Sequence, residues 1–135
     1  MIIDCVFCQH ENLEIIAENE LALAFPDICP VSKGHSLIIP KRHIEAYFEA
    51  TPEEHAALSS LAGQVKLIID RQFSPDGYNI GANVGQAAGQ TVFHFHLHII
   101  PRYRGDVADP RGGVRKVIPT YSCHRLNNVE LDQPG

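Results

Sequence analysis

Three histidines alternate with large apolar residues in one short stretch, and this pattern constrains the local fold more than any other feature of the chain. Residues 93–99 read F-H-F-H-L-H-I. Strict alternation predicts a β-strand, because successive side chains of a strand point to opposite faces. His94, His96 and His98 then share one face, with neighbours about 6.6–6.8 Å apart at Cα. Three imidazoles are costly to bury without partners, so we expect this face to bind metal or phosphate or to carry out nucleophilic and acid–base chemistry.

Composition predicts one soluble domain. The chain has 135 residues, of which 44% are hydrophobic and 20% are charged, as in ordinary globular domains. A net charge of −5 disfavours charge-driven binding to nucleic acid or to an anionic membrane, although a single nucleotide needs only a local phosphate pocket. We find no secretory signal and no apolar run near the ~20 residues of a membrane span, so we expect a cytoplasmic protein.

The secondary-structure signals predict an α+β domain. Short strands are expected at 12–18, 21–25 and 36–39, a fourth at 78–84, and the histidine strand is the fifth. Thr51-Pro52-Glu53-Glu54 is typical of a helix start, because Thr51 and Glu54 can form a capping box and proline suits the first turn. Apolar residues then recur at helical spacing for roughly twenty residues. We therefore expect a mostly antiparallel sheet of about five strands with one long helix on one face.

Several segments together resemble the histidine-triad (HIT) family of nucleotide hydrolases and transferases. The resemblance is carried by the 94–98 H-F-H-L-H motif, the preceding A-G-Q-T-V at 88–92, G-H-S-L-I-I-P at 34–40 and F-P-D at 25–27. These segments occur in the family's order. Cys5 and Cys8, with the K-R-H sequence at 41–43, further resemble a zinc-containing bacterial, Hint-like branch. The resemblance implies a HIT-like fold and a homodimer.

The resemblance assigns the chemistry to three histidines. His96 holds the family's nucleophile position, which implies attack on a nucleotide α-phosphorus and a nucleotidyl-histidine that water then cleaves. Neutral imidazole suits this role, since its unperturbed pKa of ~6.5 leaves it mostly neutral at pH 7. His98 is expected to contact the phosphate or assist proton transfer, and His35 to support it.

The resemblance also implies a ribonucleotide pocket. Asp27 is expected to accept hydrogen bonds from the ribose hydroxyls, although it can equally be the start of an Asx turn. Phe25 and Ile28 are expected to contact a purine base, while Phe25 alone would also suit a core. The predicted phosphate ligands are Asn83, Gly89, Gln90, Thr91 and His98, some of them through backbone N–H groups of the glycine-rich loop.

A structural zinc is the one metal that the resemblance implies. Cys5, Cys8, His43 and His94 would form a tetrahedral Cys₂His₂ site with all four positions filled by protein. Without zinc, His94 would instead brace the active site and the two cysteines would be free thiols. No organic cofactor is expected.

The chain after the histidine motif is turn-rich. We predict a HIT domain over 1–110 and a C-terminal extension over 111–135, with dimer contacts and a frayed end. In a dimer, Arg111 and Arg115 can approach the partner's phosphates, while two solvated arginines are an equally good interpretation.

Two other functions stay open at this point. In a metal-dependent hydrolase, the H-x-H strand would bind a catalytic metal, which needs a further His or carboxylate and an open coordination position. Alternatively, the protein binds nucleotide and has little activity. The sequence leaves the physiological substrate, leaving group and base preference unassigned.

Overall fold

A single antiparallel sheet and one long helix form the fold in the computed structural model, which describes residues 4–119. The strands are ordered β1-β2-β3-β5-β4, and every pairing is antiparallel. The α+β prediction is confirmed. The elements are β1 (Ala17–Glu18), β2 (Ala22–Pro26), β3 (Ser36–Pro40), α1 (Pro52–Phe73), β4 (Gly77–Gly81) and β5 (Leu97–Arg102).

The helix begins where the sequence predicts. The Thr51 side chain accepts a hydrogen bond from the Glu54 N–H (3.1 Å), and the Glu54 carboxylate accepts one from the Thr51 N–H (2.9 Å). This capping box satisfies two backbone donors at the helix start. No helix within residues 4–119 is both long and apolar enough to cross a membrane.

The two sheet faces bury different clusters. One face packs against α1 through a core that includes Ala24, Ile38, Phe95 and Ile99. The other face carries Leu23, Phe25, Leu37 and Ile39, covered by Phe7 and Leu13 from the N-terminal segment. His98 pairs with Leu37, which in turn pairs with Phe25. Because cross-strand partners share a face, His98 lies on the side that the N-terminal segment covers.

Several strand boundaries differ from the prediction. The first strand is only Ala17–Glu18 rather than 12–18, and β4 ends at Gly81 rather than at 84. The largest difference concerns the histidine stretch, because β5 begins only at Leu97. The Phe95 N–H donates to the carbonyl of Ile44, in the loop after β3, at 2.7 Å. The backbone before Leu97 therefore bends toward this loop, while the alternation of histidine and apolar faces is kept.

The chain divides after Tyr103 into two compact units. The second unit contains a short 3₁₀ helix at Gly113–Val117. Within it, Arg111 pairs with the Asp109 carboxylate (Nε–Oδ1 3.1 Å), and the Lys116 ammonium donates to the Asp109 carbonyl. The predicted frayed C-terminal end lies outside the described residues.

Candidate active site

His96, the predicted nucleophile, is held in one tautomer by its own backbone. Its Nδ1 lies 2.8 Å from the carbonyl oxygen of His94. A carbonyl can only accept, so Nδ1 carries the proton and Nε2 keeps a free lone pair. The ring is buried and lies beside the His98 ring, with centroids 5.1 Å apart. In this tautomer Nε2 is the nitrogen that can attack an electrophile.

His35 and His98 form a directed hydrogen-bond chain next to the nucleophile. The backbone N–H of Val31 donates to His35 Nδ1 at 3.1 Å, which places the His35 proton on Nε2. That Nε2–H donates to His98 Nδ1 at 3.0 Å, so the His98 proton sits on Nε2. His98 is thereby prepared to donate from Nε2. The role of the Val31 N–H was not predicted from the sequence, because a backbone donor does not depend on the residue type.

Burial keeps the imidazole rings of His35 and His98 neutral at pH 7. It lowers the pKa of His98 to about 4, and the neighbouring His96 and His35 lower this pKa further while Asp27 opposes them. Burial also lowers the pKa of His35, again partly offset by the Asp27 carboxylate. Desolvation disfavours an imidazolium, so each ring keeps one donor and one acceptor nitrogen.

A glycine of unusual geometry sets the position of His35. Gly34 has φ +88°, and a Cβ there would lie 3.0 Å from Phe73 Cδ2 and 3.1 Å from Ile69 Cγ2. Only glycine combines this backbone conformation with so close an approach of the helix. The chain thus enters β3 with His35 buried and within hydrogen-bond distance of His98.

Asp27 forms the Asx turn that the sequence offered as one alternative and also contacts His35, while its contact with ribose hydroxyls stays a prediction. Its Oδ1 accepts a hydrogen bond from the Cys29 N–H at 2.9 Å, which is the Asx turn. Its Oδ2 lies 3.4 Å from His35 Nε2. Of the two predicted base contacts, Phe25 is buried, whereas the side chain of Ile28 is 95% exposed.

The loop before the histidines is organised by one amide. Gln90 is buried; its Oε1 accepts from the Gly85 N–H, and its Nε2 donates to the carbonyls of Glu45 and Val92. The backbone N–H groups of Gly89 and Gln90 also donate within the loop. These groups hold the loop's shape, while Thr91 is exposed at its end and Asn83 is half-buried. Direct phosphate contact by this loop stays a prediction.

Four predicted metal ligands come together at the end of the N-terminal segment. The ligand atoms of Cys5, Cys8, His43 and His94 all lie within 4.8 Å of one another. Cys5 Sγ is 3.3 Å from His94 Nδ1, and Cys8 Sγ is 3.3 Å from His43 Nδ1. A tetrahedral zinc with bonds of 2.0–2.3 Å separates its ligand atoms by about 3.3–3.8 Å. The spacing therefore fits a zinc ion.

The tautomer of His94 also fits a metal. Its Nε2–H donates to the Pro40 carbonyl at 2.9 Å, so the lone pair lies on Nδ1, which faces the cysteines. Burial lowers the pKa of His94 to about 4, which keeps the ring neutral as ligation requires. A metal-bound histidine commonly donates its other N–H to a carbonyl in this way.

A second close group does not have this property. Ligand atoms of Asp27, His35 and His98 also lie within 4.8 Å of one another. His35 Nε2 must carry a proton, since its Nδ1 already accepts from Val31. A protonated nitrogen cannot bind a metal, so this group fits hydrogen bonding and not metal ligation.

One aromatic residue without a predicted role, Phe7, lies beside the candidate nucleophile. The Phe7 ring packs edge-on against His96 (centroids 5.2 Å) and Phe25 (5.2 Å). Phe7 stands between Cys5 and Cys8, which was the one sequence signal that it lies near the site.

The chain is similar to characterised and uncharacterised relatives over most of its length. A HIT-like protein of Methanocaldococcus jannaschii is 45% identical over 135 residues, covering 96% of this chain and 94% of that protein. The adenosine 5'-monophosphoramidase hnt1 of Schizosaccharomyces pombe is 41% identical over 73% of this chain and 74% of its own. The adenylylsulfatase HINT3 of Arabidopsis thaliana is 40% identical over 76% of this chain and 54% of its own.

A solved structure and a domain model agree with these relatives. The crystal structure of a Zn-bound histidine triad family protein from Mycobacterium smegmatis has a TM-score of 0.71 at 37% identity, covering 78% of this chain and 80% of that one. The HIT domain model matches residues 9–105, which include α1 and all five strands. On this evidence, the chain belongs to the HIT family.

Proposed function

We propose that this protein is a nucleotide hydrolase and nucleotidyl transferase. His96 Nε2 attacks the α-phosphorus of a ribonucleoside phosphoramidate or a dinucleoside polyphosphate, and a nucleotidyl-His96 intermediate forms as the bond to the leaving group breaks. Water then cleaves the P–N bond to His96 and releases nucleoside monophosphate. The observation that carries the proposal is the hydrogen bond from His96 Nδ1 to the His94 carbonyl, which leaves Nε2 as the nucleophile.

The second role belongs to His98. An amine or phosphate leaving group departs more easily when it receives a proton, and the His35–His98 chain holds a proton on His98 Nε2. We propose that the His98 Nε2–H donates a hydrogen bond to the leaving-group atom and stabilises the charge that develops there, while the leaving group takes its full proton from solvent and His98 stays a neutral ring. The His35 Nε2–H, which donates to His98 Nδ1, keeps this donor directed at the leaving group. Removing a positioned donor of this kind typically costs about 10²–10³-fold.

For the substrate we propose a purine ribonucleotide, with Asp27 as the ribose contact and Phe25 at the base. A carboxylate can accept from both ribose hydroxyls, and Asp27 Oδ2 lies toward the His35–His98 chain. The phosphoramidase and adenylylsulfatase names of two relatives support an adenylyl substrate with a small leaving group. We accordingly favour phosphoramidates over dinucleoside polyphosphates.

We also propose one structural zinc held by Cys5, Cys8, His43 and His94. Its chemistry is to cross-link the N-terminal segment to the loop after β3 and to the histidine stretch, and it takes part in no bond-making step. The His94–Pro40 hydrogen bond and the Zn-bound relative support this assignment.

The quaternary structure we propose is a homodimer. In it, Arg111 and Arg115 of one protomer reach toward the partner's site. Both arginines are exposed, and Arg111 forms a local ion pair with Asp109. Sedimentation velocity tests the dimer: a species of twice the 15.0 kDa chain mass is expected, and a single monomeric species would exclude it.

The central test is release of nucleoside monophosphate from adenosine phosphoramidate and, separately, from diadenosine tetraphosphate. We expect wild type and the control His55→Ala to release AMP and to form a trappable adenylyl-enzyme, while His96→Ala does neither but still binds AMP. His55 is a suitable control because it lies on α1 against Tyr47. Release that persists in His96→Ala would remove His96 as the nucleophile, and AMP binding without release by wild type would favour the binding protein.

A further inference from the structure

The turn between the two cysteines carries an aromatic side chain into the active site. The Cys8 N–H donates to the Cys5 carbonyl at 3.1 Å, which closes a four-residue turn. Of the two central residues, Val6 is 55% exposed, whereas the Phe7 ring lies 5.2 Å from the His96 ring at an interplanar angle of 82°. One short segment therefore contributes both to the proposed metal site and to the surroundings of the nucleophile.

The nucleophile needs this contact to be fixed in direction. Among residues 4–119, one hydrogen bond, from Nδ1 to the His94 carbonyl, holds the His96 ring. A single bond leaves the ring able to tilt about it, and such a tilt would move Nε2. The rings of Phe7 and His98, which lie 5.2 and 5.1 Å away, restrict that tilt. Edge-on packing of this kind is a favourable aromatic arrangement.

The position of Phe7 depends in turn on its flanking cysteines. Within residues 4–119 the first strand begins at Ala17, so no strand pairing holds the 5–8 turn. Cys5 and Cys8 contact His94 and His43 through sulfur atoms at 3.3–3.5 Å. Thiols are weak hydrogen-bond donors and acceptors, whereas bonds from both sulfurs to one metal ion would fix the two ends of the turn.

We propose that Phe7 is a positioning residue that couples metal occupancy of the cysteine turn to the orientation of His96. With metal bound, the turn presses Phe7 against the nucleophile and Nε2 points at phosphorus. Without metal, or without the Phe7 ring, His96 samples other orientations and the rate of P–N bond formation falls. This inference rests on the proposed function of His96 as nucleophile.

The kinetic test compares Phe7→Leu with the matched control Phe48→Leu, whose ring is 79% exposed. Both are assayed zinc-loaded on adenosine phosphoramidate and on base-free ribose 5-phosphoramidate. We expect Phe7→Leu to lower kcat roughly 10- to 100-fold on both substrates, because small misplacements of reacting groups have effects of this size, with KM unchanged. An unchanged kcat, or a KM increase confined to the purine substrate, would overturn the proposal, the latter because it marks a base contact only.

The structural test reads His96 directly, without turnover. In zinc-loaded wild type we expect a slowly exchanging Nδ1–H proton resonance of His96 in imidazole NMR spectra. The same resonance should broaden in zinc-loaded Phe7→Leu and in metal-free Cys8→Ser, and it should persist in Phe48→Leu. A sharp His96 resonance in Phe7→Leu contradicts the proposal. The comparison of Phe7→Leu with Phe48→Leu tests the role of the Phe7 ring even when circular dichroism shows that Cys8→Ser is unfolded.

Failure of the nucleophile assignment can be distinguished from failure of the coupling through Phe7. When the nucleophile assignment is wrong, wild type forms no adenylyl-His96 and His96→Ala keeps its activity. When only the coupling is wrong, wild type and zinc-loaded Phe7→Leu form the intermediate at the same rate.

Discussion

Two clusters of possible metal ligands each contain two histidines, one of which is two residues from His96 in the sequence, and their hydrogen bonds give the two clusters different chemistry. Cys5, Cys8, His43 and His94 form one cluster, and Asp27, His35 and His98 form the other. In the first, a carbonyl accepts the far N–H of His94 and leaves a lone pair facing the cysteines. In the second, a backbone N–H occupies the far nitrogen of His35 and leaves a proton facing His98.

Proximity of possible ligand atoms does not by itself make a metal site. Both clusters bring their ligand atoms within 4.8 Å, and burial lowers the pKa of His94, His35 and His98. What differs is whether a backbone acceptor or a backbone donor reaches the second ring nitrogen. The first cluster is suited to holding a cation, and the second to donating a hydrogen bond from His98 Nε2.

The largest expected effect comes from removing a ligand of the first cluster. Cys8→Ser should abolish stoichiometric zinc binding and lower the free energy of unfolding by roughly 4 kcal/mol or more, because metal loss is among the most destabilising changes. Urea unfolding monitored by circular dichroism and metal analysis measure both. Cys29→Ser is the control, since that thiol is exposed and outside the cluster. Full zinc content and stability in Cys8→Ser would show that the first cluster is not a metal site.

A substitution in the second cluster should change kcat and leave the zinc content of the protein unchanged. We expect His98→Ala to lower kcat on adenosine phosphoramidate by about 10²-fold or more, since the His98 Nε2–H stabilises the charge that develops on the amine leaving group. An adenylate with an acidic phenol as leaving group needs less stabilisation, so the loss on that substrate should be much smaller. Zinc content should be unchanged. Equal losses on both substrates would assign His98 to phosphate binding instead of leaving-group stabilisation.

The residues of both clusters, and most elements of the fold, were predictable from sequence, but the hydrogen bonds that separate the clusters were not. The alternation around His96 indicated which side chains share a face, and Thr51-Pro52 placed the helix start. The partners that decide the histidine tautomers are the Pro40 carbonyl and the Val31 N–H. Every residue type has a backbone carbonyl, and every residue type except proline has a backbone N–H. The Pro40 carbonyl reaches His94 through a tertiary contact between residues 54 positions apart, and the Val31 N–H depends on the local backbone conformation between residues 31 and 35.

The late start of β5 and the role of Phe7 escaped prediction for a related reason. Phe95 satisfies its N–H with Ile44 instead of a neighbouring strand, and the apolar alternation is the same in either case. Phe7 contacts His96 only because the fold brings the cysteine turn across the sheet face. Neither secondary-structure propensity nor hydrophobic periodicity can predict a contact between residues 89 positions apart.

Acid should lower protein stability in part through His98 of the second cluster. Folding lowers the pKa of His98 to about 4 from an ordinary value near 6.5, so between these pH values the unfolded chain binds more protons. Stability then falls as the pH drops from 6.5 toward 4, by at most about 1.4 kcal/mol per pH unit from this one group. His98→Asn should flatten that part of the urea-midpoint profile relative to wild type. Parallel profiles for the two proteins would show that His98 is not held neutral.

The smallest expected effect removes only the backbone donor that sets the tautomer of His35. Val31→Pro deletes the N–H that binds His35 Nδ1, whereas Val31→Ala keeps it and serves as the control. Loss of one hydrogen bond should cost about 1 kcal/mol in urea unfolding. His35 can then place its proton on Nδ1 and free Nε2 as a ligand. We therefore expect Val31→Pro, under zinc-buffered conditions, to bind one more zinc equivalent than Val31→Ala. Equal zinc content in two folded variants would mean that something other than this hydrogen bond keeps metal out of the second cluster.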